Sequence, residues 1–219
     1  MKYFVRTTGE RTLDGSFSQI EYELLVDYEH NPVQSIIVQL KKISKSNSIF
    51  MEDDIILCKD FENRINEVIK KYPNQIINFY FQPLQYQVKG LRRGKDFLFN
   101  QCVYYPRYIT SKIAKEMEIL LEEGFKFDQY DRLQAKAMER LGIDFISYRP
   151  MLVQHKKGPS LLNNNWTNGA QTIYFVDDLE NLGIDYDNAK VTLDYTYKKM
   201  KEINPKYVEP KVVFKNRKR

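Results

Sequence analysis

Two rhythms of apolar residues alternate along the chain, short continuous runs and stripes at helical spacing. "MKYFVRT" opens as a short strand, and "SFSQIEYELL" fits either kind of element. In "NPVQSIIVQLKKIS" (31–44) Val33, Ile36, Ile37 and Leu40 share one helical face, and Pro32 sits just inside the start, where a missing N–H does no harm. "SIFM" (48–51) predicts a buried strand that runs into three acids. "DFENRINEVIKKY" predicts a helix with Asp60 as N-cap, a stripe of Phe61, Ile65, Val68 and Ile69, and Pro73 as its stop. A strand "QIINFYFQ" (75–82), a basic loop "PLQYQVKGLRRGKD" and a strand "FLFNQCVYYP" (97–106) follow. "TSKIAKEMEILLEEG" predicts a helix from a Thr cap to Gly124, and "DQYDRLQAKAMERLG" another from Asp128 to Gly142. "DFISYRPMLVQHK" returns as extended chain.

Strands alternating with helices predict an α/β fold, a Rossmann-type mixed sheet flanked by helices. After a Gly-Pro-Ser, Asn-rich loop the rhythm weakens. "QTIYFVDDLENLGIDYD" predicts a short strand or turn, "NAKVTLDYTYKKMKEI" a helix, and "NPKYVEPKVVFKNRKR" an extended arm. The expected organisation is one domain over 1–165 and a small C-terminal appendage over 166–219.

The chain of 219 residues is 42% apolar and 29% charged, a globular balance rather than a disordered one. Its apolar runs are too short for a membrane span, and "MKYFVRTTGERTLDG" lacks the apolar core of a signal peptide. Cys58 and Cys102 are too few for a disulfide framework, so a cytoplasmic location is expected. A net charge of +5 suits anionic small molecules or an anionic polymer and selects neither. "KGLRRGK" (89–95) and "KNRKR" (215–219) concentrate that charge, either as solvated segments or as contacts to phosphate.

The chemistry centres on "SIFMEDDIILCKDF" (48–61), where Glu52, Asp53 and Asp54 interrupt an apolar run. Neighbouring carboxylates repel one another and resist burial, so something must offset them. A divalent cation at the end of a strand does so, and ligands of open α/β sheets collect beyond the carboxyl ends of the strands. Two other polar groups fall at such positions: Arg6, Thr7 and Thr8 after the first strand, and Gln154, His155, Lys156 and Lys157 after "SYRPMLV". Mn²⁺ accepts carboxylate oxygen and imidazole nitrogen. The Lys, Lys, Gly, Pro and Ser that follow His155 suit the lining of a diphosphate site. The plainer alternatives are a turn whose acids cap the next helix, and an exposed histidine. Asp177–Asp178, after "TIYFV", is a rival acid pair without a matching histidine.

These segments carry a resemblance. "FMEDDIIL" with the following "KDF" resembles the EDD form of the DxD motif in bacterial glycosyltransferases of the lipooligosaccharide type, whose relatives include collagen galactosyltransferases. "FNQCVYYPRYITSKIAKEM" and "RPMLVQHKKGPSLL" are similar to the family's later segments, in the family's order, over roughly 48–162. The resemblance implies a GT-A fold, a nucleotide-sugar donor of the UDP class, and Mn²⁺ or Mg²⁺ on its diphosphate. It implies Asp54 as chief metal ligand with His155 completing the shell, and Glu52 or Asp53 facing the ribose or sugar. Lys157 and Ser160 would donate to the diphosphate, and Arg6 and Thr8 would contact the nucleotide. An inverting transfer needs a general base near a helix start, where Asp128 and Asp131 stand, and Asp131 is favoured because Asp128 suits the cap.

Two other classes fit part of the pattern. Clustered acids with Mg²⁺ also serve a nuclease or phosphotransferase, and the basic segments would serve a non-catalytic nucleic-acid-binding protein. The Ile-, Lys- and Asn-rich composition points to an AT-rich genome, a low-GC bacterium or a phage. The acceptor is then a surface glycan, a cell-wall polymer, a protein or modified DNA.

Overall fold

Strand β1 (Lys2–Thr7) buries Tyr3, Phe4 and Val5 in succession, as a strand covered on both faces must. β3 (Ser48–Glu52) does the same with Ile49, Phe50 and Met51, and the two run parallel with Arg6 level with Glu52. The computed structural model describes residues 1–28, 32–80, 92–93, 97–99, 107–127, 130–143, 145–148, 150–156 and 175–183.

Among these, β2 (Glu23–Val26), β5 (Ile76–Asn78), β6 (Arg92–Arg93), β7 (Phe97–Phe99), β8 (Arg107–Ile109) and β9 (Phe145–Tyr148) complete an eight-stranded sheet ordered β2-β1-β3-β8-β5-β9-β7-β6. β1, β2 and β3 are mutually parallel, as are β5 and β9, while β8 runs against both β3 and β5. This is a mixed, Rossmann-like α/β sheet flanked by helices. Arg107, first residue of β8, is level with Phe50 and Asn78, so it stands at the edge where the parallel strands end.

Each face of the sheet has its own core. Tyr3, Val5, Ile49 and Met51 pack with α2 (Phe61–Lys71), through Phe61, Ile65 and Val68. Phe4, Phe50, Ile76 and Ile109 pack with α1 (Pro32–Ile43), α3 (Ser111–Glu122) and α4 (Tyr130–Leu141). These helices fall where the apolar stripes predict them, because each stripe buries one face against a strand pair. Two expected caps differ in detail. Asp60 and Thr110 stand at N-cap positions, yet neither side chain bonds a helix N–H, and Asp60 instead accepts from Asn63 Nδ2 at 2.6 Å.

A small second sheet joins β4 (Ile55–Leu57) to β10 (Val153–His155), antiparallel, with Ile55 level with His155. "VDDLEN" is a short helix, α5 (Val176–Asn181), where the sequence suggests a strand or turn. Val176 and Leu179 lie three apart and acids occupy the first turn, where the helix dipole favours them. Phe175 and Val176 enter the α2-side core and Leu179 is buried beside them in the chain, so this part of 166–219 packs into the main body, and the rest of that range lies outside the described residues. Among the described residues no helix is long and apolar enough to cross a membrane.

Candidate functional site

β3 ends at Glu52, and Asp53 and Asp54 form the turn into β4. The β4–β10 pairing continues one step past His155, where the Lys156 N–H donates to the Asp54 carbonyl at 2.7 Å. Backbone register therefore carries the turn acids to His155, whose Nε2 lies 3.2 Å from Asp54 Oδ2.

Alternation along β3 reaches only Glu52, and the turn places Asp53 and Asp54. Glu52 shares the Phe50 side and forms an ion pair with Arg6, its register partner on β1. Asp53, buried, accepts a hydrogen bond from the Thr7 hydroxyl at 2.6 Å. Arg11, on the loop after β1, reaches both turn acids, with Nη1 2.5 Å from Asp54 Oδ2 and 3.7 Å from Asp53 Oδ1. The sequence poses the question of what offsets three adjacent carboxylates, and the described residues answer it with two guanidinium groups and an imidazole.

The titration behaviour follows from these contacts. Burial pushes the Glu52 carboxyl up, against the opposing charges of Arg6 and Arg107. Burial also acts to raise Asp54, but the hydrogen bond and charge of His155 together with Arg11 outweigh it and hold Asp54 below the usual carboxylate range. Burial acts to lower His155, and the contact with Asp54 overcomes it, so the imidazole is raised above its ordinary value. His155 Nδ1 meets the Lys156 carbonyl at 3.0 Å, which orients the ring.

Whether this set suits a divalent cation turns on Asp54 Oδ1, which is buried and has no hydrogen-bond partner among the described residues. An orphaned carboxylate oxygen costs free energy unless something binds it. Carboxylate oxygen beside imidazole nitrogen is a donor set that Mn²⁺ accepts. Among the described residues no third His, Cys, Asp or Glu completes a cluster able to hold a metal ion by itself. The fit is to a cation bound by one or two protein groups plus diphosphate oxygens and water, the habit of Mg²⁺ at phosphate sites.

The other expected residues fall variously. Thr8 follows β1 with its hydroxyl buried and without a hydrogen-bond partner among the described residues. Asp131 lies in the first turn of α4, its side chain outside the described residues, as are Asp128, Lys157 and Ser160. Arg6, expected at the nucleotide, is held by Glu52. The rival acid Asp177 accepts from the Lys59 N–H at 3.1 Å just before α2, a supporting contact between helices. Cys58 is buried, its thiol pushed up to about 12 by burial, which rules it out as a ready nucleophile.

Sequence reasoning missed Arg11, Arg107 and Asn78. Arg107 and Asn78 are fully buried at the carboxyl edge of the sheet, and both amide atoms of Asn78 lack a partner among the described residues. A polar residue ending an apolar strand, as in "QIIN", was the available signal for Asn78. Arg11 offered only its position in "TTGERT", on the loop after the strand beside the acids.

No family model matches the chain, and no curated protein sequence matches it. Among solved structures, it is similar to A197 from STIV, at a TM-score of 0.43 and 11% identity, over 70% of this chain and 84% of that one. A likeness of that size carries no argument about fold or activity.

Proposed function

We propose that the chain is a metal-dependent glycosyltransferase of the GT-A kind, moving a sugar from a nucleotide-sugar donor of the UDP class to an acceptor hydroxyl. One observation carries the reading: Asp54 and His155 meet beyond the carboxyl edge of a Rossmann-like sheet, with one Asp54 oxygen buried and uncommitted. That edge is where α/β sheets bind ligands, and the sequence resemblance assigns the same two residues to the metal.

Asp54 Oδ1 and His155 Nε2, the latter after giving up its proton to solvent, would hold Mn²⁺ or Mg²⁺, which when bound would offset the charge that builds on the departing diphosphate. Lys157 and Ser160, next along the chain from His155, would donate to the same diphosphate oxygens. Thr8, with its uncommitted hydroxyl, would face the nucleotide. Glu52 and Asp53 shape the turn through Arg6 and Thr7, and one of them would face the ribose or sugar. Asp131, with Asp128 as the other candidate, would be the base for an inverting transfer. The acceptor is a glycan, a cell-wall polymer, a protein or modified DNA.

A thermal-shift panel with a donor-hydrolysis assay tests this reading. UDP should raise the melting temperature only when Mn²⁺ is present, and UDP-sugars should be slowly hydrolysed without acceptor. Stabilisation by oligonucleotides without metal would instead support a nucleic-acid-binding protein, and metal-dependent loss of DNA a nuclease.

A further inference from the structure

The transferase reading leaves Arg11 unexplained. Its loop is tied on both sides. Gly9, in the left-handed region at φ +83°, turns the chain and donates its N–H to Thr7 Oγ1 at 2.9 Å. Beyond Arg11, Lys156 Nζ donates to the Thr12 carbonyl at 2.8 Å. One tie fixes the loop to β1 and the other to the residue after the strand that carries His155, so two hydrogen bonds between side chain and backbone hold the loop that delivers the guanidinium onto the acidic turn.

Each acid there has a different share of partners. Glu52 is paired with Arg6, and Asp53 Oδ2 with Thr7. Asp54 gives Oδ2 to both Arg11 and His155 and keeps Oδ1 uncommitted. A divalent cation on Oδ1 alone would sit against a guanidinium already resting on the same carboxylate, and like charges at that range oppose binding. A cation that arrives with a diphosphate brings negative charge with it. It also offers the guanidinium a second partner, because the planar fork of arginine matches phosphate oxygens.

Building on the transferase reading, we propose that Arg11 is a diphosphate-binding residue that holds Asp54 while no nucleotide is present and transfers to the donor's diphosphate when it enters. The divalent cation and the nucleoside diphosphate then bind as a unit, and the cation alone binds weakly.

The test is a Mn²⁺ titration of the full chain, followed by the electron-spin signal of the free ion, with and without UDP, on the natural protein and on Arg11→Gln. In the natural protein, saturating UDP should tighten Mn²⁺ at least tenfold. Arg11→Gln should bind Mn²⁺ alone at least tenfold more tightly than the natural protein, and should bind UDP in Mn²⁺ about tenfold more weakly. Mn²⁺ affinity that is equal in the two proteins, or lower in the variant, overturns the proposal. Should the variant not fold, the natural protein decides alone, since equal Mn²⁺ affinity with and without UDP also overturns it. If UDP binds under no condition, the transferase reading fails, and the Mn²⁺ affinity of Arg11→Gln still judges Arg11 as the competitor for Asp54.

Discussion

His155 Nε2 lies 3.2 Å from Asp54 Oδ2, and the backbone brings them there: His155 is level with Ile55, and the Lys156 N–H holds the Asp54 carbonyl. Since the main chain fixes the turn, Asp54→Asn should keep the fold while removing the charge. The expected result is loss of the Mn²⁺-dependent stabilisation by UDP with an unchanged far-UV circular dichroism spectrum. UDP bound at natural affinity by this variant would remove Asp54 from the site.

The same contact makes stability depend on pH. His155 titrates above its ordinary value of 6.5 in the folded chain, so the folded state holds its proton more tightly than the unfolded one. Its contribution is fully present below pH 6.5 and is lost as pH rises through the raised folded value. Glu52, also raised, acts with the same sign but starting from its ordinary 4.5. Asp54, lowered, adds stability above its ordinary 3.8 that disappears only as pH falls further. Urea midpoints measured between pH 6 and 9 (values chosen about the imidazole range) should fall with pH, and His155→Gln should flatten that fall. A profile unchanged by the substitution would assign the slope to other groups.

Removing Arg6 should destabilise the protein through Glu52. The pair is partly wet, with 16% and 28% of the two side chains exposed, and Arg107 remains within electrostatic range. The expected cost of Arg6→Ala is therefore about 1–3 kcal/mol, below the range for a fully buried broken pair. Glu52→Gln in the same background should recover part of it, and a double-mutant cycle by urea unfolding measures the difference. Additive single effects would mean that the pair contributes nothing.

Asn78 is an opportunity for stabilisation. It is fully buried with both amide atoms unpartnered, so Asn78→Leu exchanges a desolvated amide for an apolar group of similar size. The variant should gain about 1 kcal/mol, seen as a higher urea midpoint at unchanged slope. A lower midpoint would show that the amide has a partner in solution, such as a bound water.

The helix after the Asn-rich segment should be indispensable. Leu179 on α5 is 1% exposed, and Leu179→Ala should cost about 2–4 kcal/mol. A chain ended at residue 165 also loses Phe175 and Val176 from the α2-side core and should not unfold cooperatively. Normal cooperative melting of that shortened chain would make α5 a true appendage.

Much of the architecture was legible in the sequence because it rests on local periodicity. The stripe Phe61, Ile65, Val68 and the run "SIFM" each declare their element within a dozen residues. α5 was not legible, since a six-residue helix offers scarcely a full stripe and its burial depends on a core assembled elsewhere.

By itself the sequence determined the alternation of strands and helices, the position of Glu52, Asp53 and Asp54 at a strand end, and the cost those acids impose. Only the tertiary structure decided what meets that cost. Parallel pairing of β1 with β3 brings Arg6 to Glu52 and Thr7 to Asp53, and the loop beyond adds Arg11. Antiparallel pairing of β4 with β10 brings His155 to Asp54. Charge compensation acts across space between segments far apart in the chain, and the register that aligns them leaves no mark in either segment alone.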